Sequence, residues 1–553
     1  MKRSLAILLC VFMAISLFAG CAGSGSSSSV TAAPSQAAAG SNAPAAGEPA
    51  ATGTLISETP LELTMFMEMD AKATVVLRDY SEMAVFKQMA ELTNITIKFI
   101  HPPAEQGKEQ FNLMVASGDL PDMAFLDTSK LNGGLAQYLA DDIIIAVNDY
   151  LESDMPNLSK FLEENPTHSK QAKLDDGTLA YLPMFTISDS IMVTTGMQIR
   201  TNWLENVGMS VPTTLDEWYE VLTAFKEKDA NGNGDMNDEI PFVPRQGANA
   251  ISDMMKFGLP YKVLGNDFFV VDDKIGYGPY SPELKEILTM LNKWYSEGLI
   301  DPDYLSTDAA GFEAKILNDI GGSYTGTVNG NMGKFLGLWE SEHPDYEIKP
   351  IDPPKAPDGK IYGTDNKSYA SVNGLIITSD NKHIPETLRY MDYLYGPEGY
   401  LLTNFGIEGE SYTLVDGKPQ FTDAVLNDPE GIPVINALHK YGYANSNGVC
   451  LQGEEAFMAA ATYSAQIDAF RVFGNSDVIR IKPNGLSATV EESNTLARIV
   501  NDTKTYSDEM INKFIMGQES MDKYDAYVET LKNMKVEEAI AIQQAMYDRY
   551  LQR

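Results

Sequence analysis

Cysteine is scarce in this 553-residue chain: there are three, of which Cys10 and Cys21 lie near the N-terminus and Cys450 stands alone. A framework of internal disulfides is therefore excluded, and Cys450 is expected to pack as a small buried hydrophobe. Histidine is nearly as rare. None of His101, His168, His343, His383 and His439 falls in an H-E-x-x-H helix or pairs in sequence with a cysteine, so no zinc motif is present. The chain also lacks a Walker loop, a G-x-G-x-x-G turn and, outside its Ser/Gly-rich N-terminal segment, a G-x-S-x-G elbow. Bases are outnumbered, 41 Lys and Arg against 77 Asp and Glu, and the formal charge of −36 argues against nucleic acid or anionic lipid as a partner. So many acids make a chance pair of carboxylates unavoidable, and a two-carboxylate glycosidase stays open only as a second reading.

Long apolar runs are absent except at the start. Lys2 and Arg3 precede an apolar stretch, Ser4 to Phe18, which is too short for a typical spanning helix and has the form of an export signal. Ala19-Gly20-Cys21 resembles the lipobox of bacterial lipoproteins, with Phe18 where that pattern prefers Leu. The expectation is a signal peptide over residues 1–20, lipidation of Cys21, and a lipid anchor on the outer face of the cell membrane. Removing residues 1–20 takes away Lys2, Arg3 and no acid, which leaves a charge of −38. From Ala22 to about Gly53 the chain is almost all Ser, Ala, Gly, Pro and Thr, a flexible tether assigned to residues 21–58.

Hydrophobic residues make up 44% of the chain, enough for a sizeable core, and order is expected from Leu61 onward. LELTMFMEM alternates as a first strand, Ser81 to Leu92 has helical spacing, and Ile95 to Ile100 reads as a second strand. A third strand ends at Asp127, and another leads toward Phe185 after a Gly-centred turn. Gly322 to Val328 and Tyr369 to Thr378 read as later strands, Pro385 to Leu394 as a helix, and the chain beyond Asp423 as mostly helical. Ser281-Pro282-Glu283 reads as the start of a helix that stops at Gly298. Alternating strands and helices over this length imply an α/β protein of at least two lobes.

One stretch carries more information than the rest. Thr214 and Glu217 form a capping-box pair, and Leu215, Trp218, Leu222 and Phe225 give the following helix one apolar face. That helix runs into DANGNGDMNDE, where Asp229, Asn231 and Asn233 alternate, Gly234 supplies a sharp turn, and Asp235, Asn237 and Glu239 continue a set of hard oxygen donors. Calcium takes six to eight such oxygens. The match to the EF-hand loop holds through Gly234 and then departs: the twelfth position is Ile240, and the closing acid sits one residue early at Glu239. Pro241 and Pro244 stand where a second helix would follow. The expectation is one calcium ion in an EF-like loop over residues 229–239, with an ion-free Asn/Gly/Asp-rich turn as the alternative.

Of the four Trp, Trp218 and Trp294 fall on apolar helix faces, Trp203 lies beside a short helix, and Trp339 is outside any periodic run, which makes it the candidate to lie against a sugar ring. The stretch from Ile199 to Pro241, SGDLPD from Ser117, NFGIEGESYTLVDGKP from Asn404 and the ending KFIMG…YDAYVETLKNM…YDRY together resemble the extracellular solute-binding proteins of ABC importers, family 1, the large Gram-positive lipoproteins of the oligosaccharide-binding group. The resemblance implies that the calcium ion is structural and lies away from the ligand; relative to that family's loop, this chain carries an extra residue before Asp238 and Glu239.

The resemblance implies a type II periplasmic-binding-protein fold, two α/β lobes with a hinge and a cleft between them. It divides the chain into residues 59–185 and 362–405 for lobe 1 and residues 186–361 and 406–553 for lobe 2, with crossings near 182–188, near 346–361 and after 400. It implies a monomer that binds a carbohydrate without altering it and presents it to ABC permease subunits; a peptide or lipo-oligosaccharide stays open as the solute. Ligands of α/β sheets sit beyond the C-terminal ends of strands. Glu68, Asp70, Asp127 and Thr128 are then the candidates from the first lobe, and Arg245, Gln246, Thr327 and Asn329 those from the second.

Overall fold

A computed structural model of the chain describes residues 55–553 apart from 248, 264, 340–345, 366–367, 445–447, 475 and 482–484. The expected signal peptide, Cys21 and nearly all of the tether lie outside the described residues. Among the described residues no helix is long and apolar enough to cross a membrane.

The first strand, β1 (Leu61–Met67), shows why the chain layers as it does. Leu63, Met65 and Met67 enter one core, while Phe66, pointing the other way, enters a second core with Phe111 and Ala124. A strand buried on both faces belongs in a sheet covered by helices on both sides. The sheet is six-stranded, in the order β15-β4-β12-β3-β1-β2. Its members are β2 (Ile95–Ile100), β3 (Met123–Asp127), β4 (Leu182–Thr186), β12 (Ala370–Ile377) and β15 (Leu451–Gln452). β1, β2 and β3 run parallel, β12 is antiparallel to β3 and to β4, and β15 runs parallel to β4.

The second sheet has the order β10-β5-β9-β6, from β5 (Thr195–Arg200), β6 (Ile240–Val243), β9 (Gly321–Thr327) and β10 (Ile348–Ile351). It too is buried on both faces, with Met197 and Ile199 in one core and Tyr324 and Ile348 in the other. A third sheet, β11-β16-β7-β8, joins β7 (Phe268–Val271) and β8 (Lys274–Tyr277) to β11 (Tyr362–Asp365) and β16 (Asp477–Ile481). β13 (Tyr412–Val415) and β14 (Lys418–Phe421) form a separate hairpin.

The capping box at Thr214 is present, and helix Leu215–Glu227 buries Trp218, Leu222 and Phe225 as its spacing requires. Trp203 and Trp294 are buried as well, and Cys450 is fully enclosed. Ser281 does not cap the following helix. That helix spans Leu284–Ser296 with Glu283 as its first flanking residue, and the Ser281 carbonyl instead accepts from the Leu284 amide in a preceding turn.

The division of the chain also differs from expectation. Phe421, Val425, Leu438 and Leu451 all pack in the core built on β1, so residues 412–460 join the first lobe rather than the second. β11 pairs with β16, which puts residues 362–365 with the second lobe. The lobes are thus joined between β4 and β5, between β11 and β12, and after β15. The two-residue strand β15 explains the miss: its place is set by pairing with Phe185 and Thr186, and so short a segment has no periodicity to read.

Candidate functional site

β1 and β3 are parallel, so their C-terminal ends meet at one edge of the first sheet. β12 runs the opposite way and brings Asn373 opposite Asp127 at that same edge. Beyond it opens a cavity of about 550 Å³, walled by Glu68, Asp70, Asp127, Lys108, Asn112 and Asn373 over an aromatic floor that includes Phe66, Phe111 and Phe125. Apolar rings with a few fixed polar groups are the usual lining of a small-molecule site.

Each acid is held in place by a local turn. Glu68 Oε1 accepts from the Glu105 amide at 2.6 Å. The helix Gly107–Ser117 starts close against the same carboxylate, where a Cβ at Gly107 would fall 2.8 Å from Glu68 Oε2. Asp70 Oδ1 accepts from the Lys72 amide at 2.8 Å, with the Lys72 ammonium 3.6 Å from Oδ2. Asp127 Oδ1 accepts from the Ser129 amide and hydroxyl at 3.0 and 2.6 Å, and Lys130 Nζ lies 3.1 Å from Oδ2. A carboxylate has about four acceptor positions, so these bonds fix the groups without exhausting them. Thr128 turns away from the cavity. It is buried, and its hydroxyl donates to the Val372 carbonyl at 2.8 Å, stapling β3 to β12. Lys108, Asn112, Lys130 and Asn373 had no signal in the sequence that would separate them from ordinary surface residues.

In the second lobe β6 and β9 are parallel; Val243 at the end of β6 lies opposite Tyr324, three residues before β9 ends at Thr327. Arg245, just beyond β6, donates from Nε and Nη2 to both oxygens of the fully buried Asp253 at 3.0 and 2.8 Å. Its charge is largely committed within its own lobe. Lys256 sits in the same cluster; burial pushes its pKa down to about 8, with Arg245 adding to the effect and Asp253 opposing it. Gln246 is half-buried, and its carbonyl accepts from the Asn249 amide.

Thr327 caps the turn Val328–Gly333: its hydroxyl accepts from the Asn331 amide at 3.0 Å, and Asn331 Oδ1 accepts from the Thr327 amide at 2.9 Å. Asn329 donates to the Phe457 carbonyl at 3.2 Å and accepts from Gln466 Nε2 at 2.9 Å. It lines a second cavity, of about 420 Å³, between residues 329–338 and 462–466 on one side and 426–435 and Ala460, of the first lobe, on the other. The two cavities flank a contact in which Asn436 Nδ2 donates to the Lys72 carbonyl at 3.1 Å. Trp339 is placed in neither. It is 3% exposed, stacked on Tyr346 at 4.6 Å in the core of the second lobe, so its ring is covered by protein rather than offered to a solute.

The EF-like loop folds on itself through successive side-chain-to-backbone bonds. Asp229 Oδ2 accepts from the Gly234 amide, Asn231 Oδ1 from Asn233, Asn233 Oδ1 from Asp235, and Asp235 Oδ1 from Asn237. Asp238 accepts from the amide nitrogens of both Asn231 and Asn233, which turns their oxygens the other way. Glu239 is 1% exposed, and its Oε1 accepts from the Ala230 amide at 2.9 Å. Asp229 Oδ1 and Glu239 Oε2 are buried with no hydrogen-bond partner among the described residues. Among the described residues no cluster of three or more His, Cys, Asp or Glu gathers for a metal, so a cation here would depend on Asp229 and Glu239 together with amide and backbone oxygens. Two unpaired buried carboxylate oxygens in such a set fit a hard cation.

A family model described as bacterial extracellular solute-binding protein matches residues 77–400. This chain belongs to that family. Over 350 residues this solute-binding protein is 27% identical to the fructooligosaccharide ABC transporter substrate-binding protein FusA of Streptococcus pneumoniae serotype 4, covering 62% of this chain and 63% of that one. It is 28% identical to the lipoprotein LipO of Bacillus subtilis, covering 60% of this chain and 64% of that one. A solved structure of the alginate-binding protein AlgQ2 without calcium ion superposes with a TM-score of 0.76 at 26% identity, over 90% of this chain and 99% of that one. FusA in complex with kestose has the same fold, with a TM-score of 0.72 at 22% identity over 89% of this chain and 99% of that one. The architecture is the type II binding-protein fold, two α/β lobes with a hinge and a cleft between them.

Proposed function

We propose that this solute-binding protein captures an oligosaccharide between its lobes and hands it, unaltered, to the permease of an ABC importer. The observation that carries the reading is the cavity at the ends of β1 and β3, where Glu68, Asp70, Asp127 and Asn373 stand over the rings of Phe66, Phe111 and Phe125. Carboxylates and amides pair with sugar hydroxyls, above an apolar floor in which Phe66 and Phe111 are packed into the core. The family, and a sugar-binding relative in FusA, support it. Asn329 and Gln246 are the contributions from the facing lobe, Arg245 and Thr327 being held by Asp253 and Asn331, and lobe closure is the step that encloses the solute. Acids outnumber bases around the first cavity, five against two, which favours an uncharged glycan over a polyuronate.

The loop at Asp229, Asn231, Asn233, Asp235, Asn237 and Glu239 holds a structural calcium ion in this reading, supported by its two unpaired buried oxygens. Attachment is through lipidated Cys21, and a Cys21→Ser protein should be released to the medium; retention in the membrane fraction would refute that anchor. The function is tested by a thermal-shift screen of the purified protein against neutral oligosaccharides, oligouronates, monosaccharides and peptides. Neutral oligosaccharides should raise the Tm and be recovered intact. A response to peptides alone would overturn the sugar, and new reducing ends that vanish with cleft carboxylate variants would make the protein an enzyme.

A further inference from the structure

The three places where the chain passes between lobes leave from β15, β4 and β12, which are neighbours in the first sheet. A hinge confined to one end of a sheet leaves the lobes free to rotate about it. A further contact crosses between them with no covalent link. It joins the segment after helix Pro166–Ala172 of the first lobe to residues 485–493 and the end of helix Val536–Gln552 of the second.

Asp175 is its centre. Its Oδ2 accepts from Arg549 Nε at 2.8 Å, and Arg553 Nε lies 3.3 Å from its Oδ1. The far side of the Arg549 guanidinium is held within its own lobe by Glu492, Nη1 to Oε1 at 2.9 Å and Nη2 to Oε2 at 2.7 Å. Such a fork fixes the guanidinium plane and so the direction in which Nε meets Asp175. Arg553 extends the contact by donating from Nη1 to the Lys173 carbonyl at 2.6 Å and from Nη2 to the Gly485 carbonyl. At Gly485, with φ +81°, the backbone lies so close to the Gln171 carbonyl that no Cβ would fit. Gln171 in turn accepts on Oε1 from the amides of Tyr369 and Ala370, where the chain enters β12. The ionic groups are 15–34% exposed, sheltered enough to be worth more than a surface pair yet open to salt.

We infer that Asp175, Arg549 and Arg553 are positioning residues, a fourth, ionic link that holds the two lobes in the arrangement competent to take the solute. Its connection through Gln171 to the strand at the hinge keeps it near the rotation axis, where closure displaces it least. It therefore acts as a guide that limits twist and splaying rather than as a gate that must open. The link between this guide and affinity rests on the solute-capture reading above; the guide itself does not.

The test is the distance distribution between spin labels on Glu91→Cys in the first lobe and Glu297→Cys in the second, both exposed sites away from the contact. Without added solute, the parent protein should give one narrow distribution, and Asp175→Asn should broaden it and lower the population of the parent distance by about fivefold. Raising the salt should move the parent toward the variant, and Asp175→Glu should recover most of the narrow component. An unchanged distribution in Asp175→Asn, with or without a lower Tm, would overturn the inference. Titration with kestose adds the second arm. Kestose should bind Asp175→Asn more weakly by the same factor, since affinity scales with the competent population. Unchanged kestose affinity beside a broadened distribution would overturn the positioning role. Failure of kestose and every other glycan to bind the parent would refute the sugar reading and leave the distance measurement to decide the guide.

Discussion

Removal of the proposed calcium ion is the perturbation with the clearest expected magnitude. The loop ties together parts of the second lobe that are distant in sequence. Asn206 Nδ2 donates to the Ala230 carbonyl at 2.9 Å, Lys228 Nζ to the Val207 carbonyl at 2.9 Å, and Asn231 Nδ2 to the Asp319 carbonyl at 3.0 Å. Glu239 stands immediately before β6, so an ion bound to it and to Asp229 would pin the helix end to the sheet. Asp229 Oδ1 and Glu239 Oε2 are buried with no hydrogen-bond partner among the described residues. With calcium at a hundred times its Kd, mass action stabilises the folded lobe by about 2.7 kcal/mol. For a unit of this size each kcal/mol moves the Tm by roughly 2–4 °C, so chelation should lower it by roughly 5–10 °C. Differential scanning fluorimetry with calcium, chelator and magnesium reads this directly. Magnesium should not restore the transition, because it demands a tighter octahedral shell. In Asp229→Ala the difference between calcium and chelator should vanish. The reasoning fails if chelator leaves the parent Tm unchanged, or if its effect persists in Asp229→Ala. Loss of solute binding at constant Tm would instead give the ion a direct role in the cleft.

Asp127→Ala should weaken oligosaccharide binding by about tenfold with little change in Tm, as expected for a lost charge-assisted bond, whereas Trp339→Phe should lower the Tm and leave affinity alone; calorimetric titration of both separates cleft from core. Arg200 is 1% exposed, paired with Asp319 and 3.9 Å over the Tyr346 ring, so Arg200→Met should cost about 3 kcal/mol in urea unfolding, and a neutral result would refute the weight given to the pair. His439 is fully buried, and its pKa is lowered from 6.5 by desolvation first and by Lys72 second. A folded pKa below the unfolded one means that its contribution is complete above about pH 6.5 and is lost as pH falls through the folded value, so the Tm should drop on acidification and His439→Gln should flatten that drop.

Local chemistry was legible in the sequence. The Thr214–Glu217 box, the apolar face from Leu215 to Phe225 and strand Ile95–Ile100 follow from spacing alone, because caps and periodicity depend on residues a few positions apart. The acids at the ends of β1 and β3 were legible for the same reason: once the strands are placed, their C-terminal residues are known. The spacing of oxygen-bearing side chains in the loop from Asp229 to Glu239 was readable too. What the loop did with Asp238, turning two Asn amides rather than offering itself, required the folded turn.

Contacts between distant segments were decided only by tertiary structure. Trp339 had no periodic neighbours to reveal that Tyr346 and the second core would cover it. Arg245 carried no sign that Asp253 would claim its guanidinium, nor Thr128 that it would staple β12. The division of the lobes turned on β15, two residues long, whose partner strand lies more than two hundred positions away. Sequence determined which segments can be helix, strand, cap or loop. Which of them share a core, and which polar groups remain for a solute after their neighbours are satisfied, depends on long-range pairing that no local pattern encodes.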